Sequence, residues 1–477
     1  MDQKQMPLVE KLIQHIKRKP ENYHVPGHKG GSLLTGVNEV DDYFRQLLQL
    51  DLTEISGLDD LHSAEEVIKE AQSLLAALYG AKRSFFLING STVGNLAMIC
   101  GTLKRGDRVL VQRNSHKSIL NGLRLIGAEP IFILPEFNQE WGINEGVSYT
   151  HIEEALSKYE DIKAVILTYP SYYGTVYPLE DIIALCREKK VLVLVDEAHG
   201  AHFIASTRFF PPSSLQLGAD VVIQSAHKTL PALTMGAFLH IQGDRVDEDS
   251  IQEYLSMLQS SSPSYVIMAS LDMARFFVSQ YTEEDGKHLV QRLKELKEKL
   301  SNIAGLAIMP TDDPLKLGLQ FKHISGYQLQ ELLEKRGIYT ELADPLNVLF
   351  VLPLLRCADE DRFSKIIDAL QEVSTDIPNE EKEEKVNPIP SHSELVEVPE
   401  GAMIVTVSFA SAIGEISARM VTPYPPGIPL IYKGERITKE HITSLEGYLN
   451  KGARIQNRKN LNQSYIEIYK TARDKDD

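Results

Sequence analysis

Seven short apolar runs alternate with segments of helical periodicity between residues 84 and 241. The runs are SFFLI (84–88), RVLVQ (108–112), PIFIL (130–134), AVILT (164–168), VLVLV (191–195), DVVIQ (220–224) and AFLHI (237–241). Runs that are apolar at nearly every position suit strands buried on both faces, and the helices between them fit right-handed crossovers. The pattern predicts an α/β fold with a mainly parallel seven-stranded sheet flanked by helices.

Two local signals predict where helices begin. Ser63 and Glu66 have the spacing of a capping box, and apolar residues then recur at helical intervals up to Gly80. Thr150 with Glu153 gives the same signal in a unit that connects two strands. We therefore expect one helix to open the main domain after Ser63 and another to start near Thr150.

Changes in the pattern divide the chain into four predicted segments. The first, residues 1–60, holds a short amphipathic helix and a glycine-rich arm with HVPGHKGGS, whose spacing is not that of a nucleotide-binding loop. The others are a large domain (61–300), a smaller α+β domain (301–377), and a linker, PNEEKEEKVNPIPSHSE (378–394), that leads into a C-terminal domain ending at residue 477.

Composition and charge narrow the class of protein. The formal charge of −16 argues against a nucleic-acid partner and suits a cationic small molecule, although acidity for solubility is the alternative. Three widely spaced cysteines, Cys100, Cys186 and Cys357, suggest neither a disulfide framework nor a paired metal site. The chain lacks a signal-peptide core and any run near the ~20 apolar residues that span a bilayer. We expect a soluble, cytoplasmic protein.

Candidate site residues follow the apolar runs directly, because ligands of doubly wound sheets gather at the carboxyl ends of the strands. NGSTVGN (89–95) passes into a helical pattern, so Ser91, Thr92 and nearby backbone amides suit a phosphate group. An ordinary helix cap is the alternative for these two residues. In RNSHKS (113–118), His116 is either a structural residue or a flat ring that stacks on an aromatic cofactor.

DEAHGAH (196–202) begins with an acid that ends a predicted buried strand. Such an acid needs a partner, for example a protonated ring nitrogen, because an unpaired buried carboxylate is costly. The letters also match a helicase box, but that chemistry requires an upstream phosphate-binding loop. A metal site made of Asp196, His199 and His202 is a further alternative, although these residues leave a strand into a loop and do not share a helix face.

QSAHKTLPALTMG (224–236) places Lys228 behind Ser225 and His227, among residues that are apolar, small or uncharged. A lysine in these surroundings, about thirty residues after Asp196, matches what pyridoxal phosphate chemistry requires. The lysine forms an imine with the aldehyde, the acid keeps the pyridine nitrogen protonated, and hydroxyls and amides hold the phosphate. No single motif is specific for pyridoxal phosphate chemistry, whereas the set of motifs in this order is much more specific.

The ordered motifs resemble those of the Orn/Lys/Arg decarboxylases. They are NGSTVGN, RNSHKS, DEAHGAH, SAHKTLPALTMG, SSSPSY (260–265) and PYPPGIPL (423–430). The resemblance spans about residues 20–440 and implies the aspartate-aminotransferase-like fold, fold type I, with pyridoxal 5′-phosphate as cofactor. It implies that Lys228 carries the imine, that Asp196 pairs with the pyridine nitrogen and that His116 stacks on the ring. The implied phosphate ligands are Ser91, Thr92, Ser225 and His227.

The resemblance also implies a homodimer with its active site at the interface. In the family, a hydroxyl just before the Ser-Pro step completes the phosphate site of the neighbouring subunit, which here is Ser261 or Ser262. A loop beside a helix is the alternative for these serines. The chain lacks the wing domain of the long family members, so it resembles the short form, and no large decamer-type assembly is expected. His199 stands where the long forms commonly have tryptophan, so contacts around the cofactor are expected to differ.

The reaction that the resemblance implies is α-decarboxylation of L-lysine, L-arginine or L-ornithine, for polyamine biosynthesis. Lys228 and His227 are candidates for returning a proton to Cα. Glu435, after PYPPGIPLIYKG, is a candidate partner for the distal charge of the substrate, or else an exposed loop residue. The competing functions are another fold-type-I reaction, such as transamination or retro-aldol cleavage, and a non-catalytic regulatory relative. Aminotransferases generally need an arginine for the α-carboxylate, and a non-catalytic relative has no physical reason to keep Lys228.

Overall fold

Helices and strands alternate through the first half of the chain, and smaller sheets follow. The computed structural model describes residues 1–33, 38–361, 363–376, 395–396, 401–424, 427–456 and 461–470. Its helices are α1 (Pro7–Lys17), α2 (Asn38–Leu50), α3 (Val67–Tyr79), α4 (Gly90–Thr102), α5 (Lys117–Ile126), α6 (Tyr149–Lys158), α7 (Leu179–Glu188), α8 (Ala226–Thr229), α9 (Glu248–Leu258), α10 (Tyr265–Ser279), α11 (Glu283–Leu300), α12 (Gly326–Glu334), α13 (Phe363–Asp376), α14 (Phe409–Ala412) and α15 (Lys439–Asn450). Its strands are β1 (Arg83–Leu87), β2 (Arg108–Gln112), β3 (Glu129–Ile133), β4 (Phe137–Asn138), β5 (Ile143–Asn144), β6 (Ile162–Thr168), β7 (Leu192–Asp196), β8 (Val221–Gln224), β9 (Ala237–Ile241), β10 (Leu306–Ile308), β11 (Lys316–Phe321), β12 (Leu342–Ala343), β13 (Val348–Val351), β14 (Met403–Ser408), β15 (Ile416–Ser417), β16 (Thr422–Pro423), β17 (Ile455–Gln456) and β18 (Tyr465–Lys470).

The seven predicted strands form one central sheet in the order β1-β9-β8-β7-β6-β2-β3. All neighbours from β8 to β3 run parallel, whereas β9 is antiparallel to both β8 and β1. The observed strand ends differ from the predicted runs by at most two residues. The prediction of an α/β fold with a mainly parallel seven-stranded sheet is confirmed.

Both faces of the central sheet are buried, which explains why the strands are apolar without alternation. On β7, Val193 and Val195 belong to the core of one face and Leu194 to the core of the other. Helices α4, α5 and α9 cover one face, and α3, α7 and α10 cover the other. Since successive side chains of a strand point to opposite faces, two covered faces require an unbroken apolar run.

The predicted capping box at Ser63 is wrong, because a different acid caps α3. The helix begins at Val67, and the side chain of its N-cap residue, Glu66, makes no capping hydrogen bond. Asp59 accepts hydrogen bonds from the backbone amides of Glu65, Glu66 and Ile68 at 2.9, 2.8 and 2.9 Å. A carboxylate that reaches back from seven to nine residues away therefore satisfies the free amides at the start of the helix.

The helix expected near Thr150 is α6, and its cap is also displaced from the predicted position. Ser148 is the N-cap residue, and its Oγ accepts a hydrogen bond from the backbone amide of His151 at 3.3 Å. Thr150 lies inside the first turn of the helix. Both corrections concern only the start of a helix whose existence the apolar periodicity predicted.

A second, four-stranded antiparallel sheet follows the long helix α11, in the order β10-β11-β13-β12. Helix α12 packs against three of its strands, and α13 packs against α11 and α12. This arrangement is an α+β unit of the kind that the pattern indicated. The domain limits at residues 300 and 377 stay predictions.

The C-terminal segment has its own small core. Strands β14, β18 and β15 form a sheet, and β16 pairs with β17. Apolar residues of α14, α15 and these strands, such as Phe409, Leu445 and Ile468, form a separate buried cluster. The predicted linker, residues 378–394, lies outside the described residues. None of the helices that the structure describes has the length and apolar content that a membrane crossing requires.

Residues 1–60 contain α1, as predicted, and also α2, which was not predicted. Between them, HVPGHKGGS includes a single 3-10 turn, Lys29–Gly31, whose three residues all have positive φ angles of 52°, 62° and 84°. Glycine adopts such angles without steric cost, so two of the three positions are unstrained. The glycine-rich arm is a turn, in agreement with its composition.

Candidate active site

Eight of the eleven predicted site residues line one cavity at the carboxyl edge of the central sheet. The cavity has a volume of about 710 Å³, within the range of small-molecule sites. Because the parallel strands share one direction, the loops that follow them meet at this edge. The eight residues are Ser91, Thr92, His116, Asp196, His199, Ser225, His227 and Lys228.

Asp196 is the acid at the centre of this edge. It ends β7 and lies in register between Thr168 of β6 and Ile223 of β8. It is 3% exposed. Its Oδ2 accepts a hydrogen bond from Nδ2 of Asn95 at 2.9 Å, and its Oδ1 accepts one from the backbone amide of Ala198 at 3.2 Å. These donors stabilise negative charge on a buried carboxylate that faces the cavity.

Asn95 is a site residue that the sequence analysis missed. It lies on α4, one turn after Ser91, and its amide donates both to Asp196 and to Oγ of Ser118, each at 2.9 Å. Oγ of Ser118 in turn lies 2.8 Å from Nδ1 of His116. Asn95 thus connects Asp196 to His116 through the hydroxyl of Ser118. The signal was present as the second asparagine of NGSTVGN, a polar residue on the buried face of a helix.

The start of α4 has the character of an anion site. Ser91 and Thr92 lie in its first turn, where the backbone amides have no acceptor within the helix. Gly90 has a φ angle of +78°, a conformation that favours glycine. Oγ of Ser225 donates to Oγ of Ser91 at 2.9 Å, so residues after β1 and β8 converge. A helix N-terminus with neutral hydroxyls suits a phosphate group, and the individual phosphate contacts stay predictions.

Lys228 lies in α8, the short helix after β8, and its amine faces the cavity. Its Nζ is 3.0 Å from Nε2 of His199 and 5.6 Å from the centre of the Tyr172 ring. Burial lowers the pKa of Lys228, although the carboxylates of Asp196 and Glu341 act in the opposite direction. A larger fraction of this amine is neutral near pH 7 than for an exposed lysine, and the neutral amine is the nucleophile.

The other two cavity histidines, His227 and His116, have defined ring contacts. Nδ1 of His227 is 3.0 Å from the carbonyl oxygen of Gly236, so it donates the hydrogen bond. His116 is the N-cap residue of α5 and accepts a hydrogen bond from the backbone amide of Ser118. Burial lowers the pKa of both histidines. Both rings are therefore neutral near pH 7, and stacking of His116 on a cofactor stays a prediction.

The histidines of DEAHGAH contact side chains that do not suit a metal site. The two ring nitrogens of His199 face the amines of Lys228 and Lys316, and Nε2 of His202 is 3.0 Å from Oδ1 of Asp313. Among the residues that the structure describes, no group of three or more His, Cys, Asp or Glu side chains is arranged to hold a metal ion. Amines on both sides of His199 leave it no free nitrogen for a metal.

The cavity is also lined by two acids that the sequence analysis missed, Glu341 and Asp344. Oε1 of Glu341 accepts a hydrogen bond from the hydroxyl of Tyr172 at 2.7 Å. Asp344 accepts one from the hydroxyl of Tyr173, and burial raises the pKa of Asp344. These acids flank β12 of the second sheet, so no run of the central sheet pointed to them.

The predicted substrate contact of Glu435 is not supported, because Glu435 is fully buried away from the cavity. Its carboxylate is 3.2 Å from Nη2 of Arg113 and accepts a hydrogen bond from the backbone amide of Tyr432 at 2.7 Å. The guanidinium of Arg113 also donates to the carbonyl oxygens of Pro429 and Leu430. Glu435 therefore anchors the C-terminal segment to the end of β2.

Ser261 and Ser262 lie outside the cavity, in the loop between α9 and α10. Both are exposed, and the backbone amide of Ser262 donates to Oγ of Ser260 at 3.3 Å. Exposure is compatible with a contact to a second subunit as well as with a plain loop. Their phosphate role stays a prediction.

Two family models match the chain. Residues 6–318 match the model described as Orn/Lys/Arg decarboxylase, major domain. Residues 372–459 match the model described as Orn/Lys/Arg decarboxylase, C-terminal domain. Together the two matches extend over most of the sequence. Every cavity residue from Asn89 to Met235 lies within the first match.

Individual relatives agree with these matches. The chain is 43% identical to the uncharacterized protein YaaO of Bacillus subtilis, over 97% of this chain and 98% of the relative. It is 33% identical to an arginine decarboxylase of Bacillus anthracis, over 98% of both chains. The solved structure of the constitutive lysine decarboxylase of E. coli has a TM-score of 0.81 at 20% identity, over 98% of this chain and 82% of that chain. The last likeness supports the fold alone.

We predict that Glu435→Gln lowers the free energy of unfolding by about 3 kcal/mol, because it leaves the buried Arg113 without its counter-charge. Urea unfolding followed by circular dichroism measures the change. Glu446→Gln is the matched control, since Glu446 is an exposed acid on α15 of the same segment. Equal stability of Glu435→Gln and the control would contradict the anchoring role.

Proposed function

Because the chain belongs to the Orn/Lys/Arg decarboxylase family, whose reaction is the decarboxylation of basic amino acids, we propose that it converts L-arginine, L-lysine or L-ornithine to the amine and CO2. We further propose that the amine serves polyamine biosynthesis in the cytoplasm. L-Arginine is the first substrate to test, because a relative 33% identical over nearly the whole chain is named an arginine decarboxylase.

Pyridoxal 5′-phosphate is the cofactor of this family, as the motifs predicted. Three features of the cavity fit the aldehyde, the ring nitrogen and the phosphate of this cofactor. Lys228 offers an amine with a lowered pKa for the aldehyde. Asp196 offers a buried carboxylate with two hydrogen-bond donors for a protonated ring nitrogen, and the start of α4 offers amides and hydroxyls for the phosphate. The donor set therefore fits the cofactor.

Asp196 and its supports have an electrostatic task in the proposed reaction. When bound, the cofactor supplies a ring that accepts the electron pair released as the carboxylate leaves. Asp196 holds a proton on the ring nitrogen, which keeps the ring electron-poor. Asn95 and the amide of Ala198 fix the orientation of Asp196, so the carboxylate keeps its place as charge shifts.

We propose that Lys228 returns the proton to Cα of the substrate. His227 uses Nδ1–H for the carbonyl oxygen of Gly236, and burial lowers its pKa, so its Nε2 carries no proton to give. Lys228 faces the same cavity with an amine that can carry a proton in one step and lose it in another. His227 keeps its proposed place near the phosphate.

The single observation that carries this proposal is the meeting of Lys228, Asp196 and the start of α4 in one cavity. These groups come from the ends of three different strands of the central sheet. Each has an ordinary structural explanation by itself, whereas their convergence in one cavity matches the aldehyde, the ring nitrogen and the phosphate of the cofactor.

We propose that Glu341 and Asp344 recognise the distal cation of the substrate, in place of Glu435. Tyr172 links Lys228 to Glu341, since its ring lies 5.6 Å from Nζ of Lys228 and its hydroxyl donates to Glu341. Both acids line the same cavity as Lys228, and the carboxylate of Glu341 is near enough to raise the pKa of the Lys228 amine. A carboxylate in a partly desolvated wall binds a guanidinium or ammonium group more strongly than one on the surface.

We also propose a homodimer in which Ser261 or Ser262 of one subunit reaches the phosphate site of the other. Leu233 and Met235 support an interface, because both are apolar, they are 44% and 43% exposed, and Met235 lines the cavity. Analytical ultracentrifugation of the full chain at micromolar concentration is expected to show twice the monomer mass. A monomer under these conditions would contradict the dimer.

We expect the purified protein with pyridoxal phosphate to be yellow, and Lys228→Ala to lose the borohydride-sensitive absorbance and the release of CO2. Lys163→Ala, which removes an exposed lysine of β6, is the control and is expected to retain both. Arginine, lysine and ornithine are assayed in parallel by their amine products. Formation of a keto acid, or a wild type that cannot be coloured by pyridoxal phosphate, would overturn the proposed reaction.

We expect Glu341→Gln to raise KM for the basic amino acid about tenfold or more with a smaller effect on kcat, because it removes a charge that holds the distal cation. Steady-state kinetics with the preferred substrate provide the measurement. Glu334→Gln on the exposed side of α12 is the matched control. An unchanged KM for Glu341→Gln would assign the distal cation to another residue.

A further inference from the structure

His199 lies between two lysine amines that come from different sheets. Its Nε2 is 3.0 Å from Nζ of Lys228, and its Nδ1 is 2.8 Å from Nζ of Lys316, the first residue of β11. Lys316 is fully buried and does not line the cavity. Its stem packs tightly, because a Cβ atom at Gly174 would lie 2.5 Å from Cγ of Lys316. Burial of the Lys316 amine behind His199 costs free energy, so its position requires a physical explanation.

The two hydrogen bonds of His199 restrict which atoms of Lys228, His199 and Lys316 can carry a proton. Burial and the two neighbouring lysines hold the pKa of His199 well below its usual value, so the ring is neutral. A neutral imidazole has one N–H donor and one bare nitrogen. The lysine that faces the bare nitrogen donates to it, whereas the lysine that faces the N–H must accept and is an uncharged amine. At least one of Lys228 and Lys316 is therefore neutral while both hydrogen bonds are formed.

We propose that Lys316 is a proton reservoir for Lys228 and that His199 carries the proton between them. Before Lys228 attacks an aldehyde carbon, its ammonium gives a proton to Nε2 of His199, and Nδ1 of His199 passes its own proton to Lys316. The freed lone pair then forms the new C–N bond, and loss of water leaves an imine. The reverse transfer restores the ammonium when Lys228 is released.

The charges around the three residues suit such an exchange. Burial lowers the pKa of Lys316 to about 8, although the carboxylate of Asp313 raises it. A group with a pKa near the ambient pH both accepts and donates a proton with little free-energy cost. The transfer moves one positive charge across one ring, so the number of buried charges stays constant. An exposed lysine, with a pKa of about 10.4, would remain protonated and accept nothing.

Other ionisable groups face the same three residues and remain in place during the exchange. Asp313 is fixed by His202 at 3.0 Å and by the backbone amide of Leu315 at 2.9 Å. The groups that act electrostatically on Lys228, His199 or Lys316 are Asp196, Glu341, Asp313, His116, His202 and His227. Tyr172 also contacts the His199 ring at 4.3 Å between ring centres. Lys316 touches neither the cavity nor its ligand, so it is a positioning residue that acts through His199.

The test observes the proton on His199 directly. The full chain, labelled with 15N-histidine, is measured by NMR near pH 8.5, where Lys316 with its pKa of about 8 is mainly neutral, before and after it is loaded with pyridoxal phosphate, and His199→Gln identifies the signal. The exchange predicts Nδ1–H before loading and Nε2–H after loading. An identical tautomer in both forms of the wild type would overturn it. This measurement depends on no variant of Lys316.

A second measurement follows the proton by its release into solvent. In weakly buffered solution with a pH indicator, Lys316→Met is expected to release up to about one more proton per chain than the wild type when pyridoxal phosphate binds, since the internal acceptor is gone. Protons released from other groups contribute equally in Lys316→Met and in the wild type, so they do not affect the difference. Lys163→Met is the matched control on an exposed strand position and is expected to behave as the wild type. Equal release by Lys316→Met and the wild type would contradict the reservoir.

The inference rests on the proposed role of Lys228 as the imine-forming lysine, and the two ideas fail in different ways. If pyridoxal phosphate produces no imine absorbance with the wild type, the proposed function itself is wrong. If the absorbance appears while the His199 tautomer and the proton count stay unchanged, the function stands and the reservoir is wrong.

Discussion

The parallel pairing of β7 with β6 and β8 is the constraint on which the site depends. It places Asp196 in register between two other strand ends, where a carboxylate has little access to water. A buried carboxylate is stable only with donors close by, and Asn95 on α4 provides one across the sheet edge. The position of α4 is thus tied to the acid, and so is the position of the amides and hydroxyls of its first turn. The backbone pairing of β7 therefore sets the position of Asp196, and through Asn95 it also sets the position of α4 and the hydroxyls of its first turn.

The cavity is nevertheless a joint product of three parts of the chain. The loops after strands of the central sheet supply Lys228 and Asp196, the segment that leads into β12 of the second sheet supplies Glu341, and the C-terminal segment supplies the wall around Leu430. Basic and acidic groups are mixed in this cavity, since the carboxylates of Asp196 and Glu341 both act on the amine of Lys228. Part of the acidity of a chain with a net charge of −16 thus lies in this cavity, at Glu341 and Asp344.

The sequence predicts what is local and misses what is distant. The strands were predictable because two buried faces leave an unbroken apolar run, and Lys228 and Asp196 were predictable because they follow such runs. Asn95 and Lys316 were missed because their partners, Asp196 and His199, lie 101 and 117 residues away. Glu435 was misplaced for the same reason, since its partner Arg113 is 322 residues away. Even the cap of α3 comes from Asp59, outside the four-residue window that a capping box samples.

The bond between Arg113 and Glu435 also has a consequence for synthesis of the chain. Every strand of the central sheet has been synthesised once residue 241 is added, yet Glu435 follows much later in the chain. Until then the nascent protein holds a guanidinium at the end of β2 without its counter-charge, and the cavity lacks the wall near Leu430. A prematurely terminated chain would expose this unfinished surface to chaperones and proteases. A segment that is translated long after the central sheet therefore completes the pocket that the first half of the chain begins.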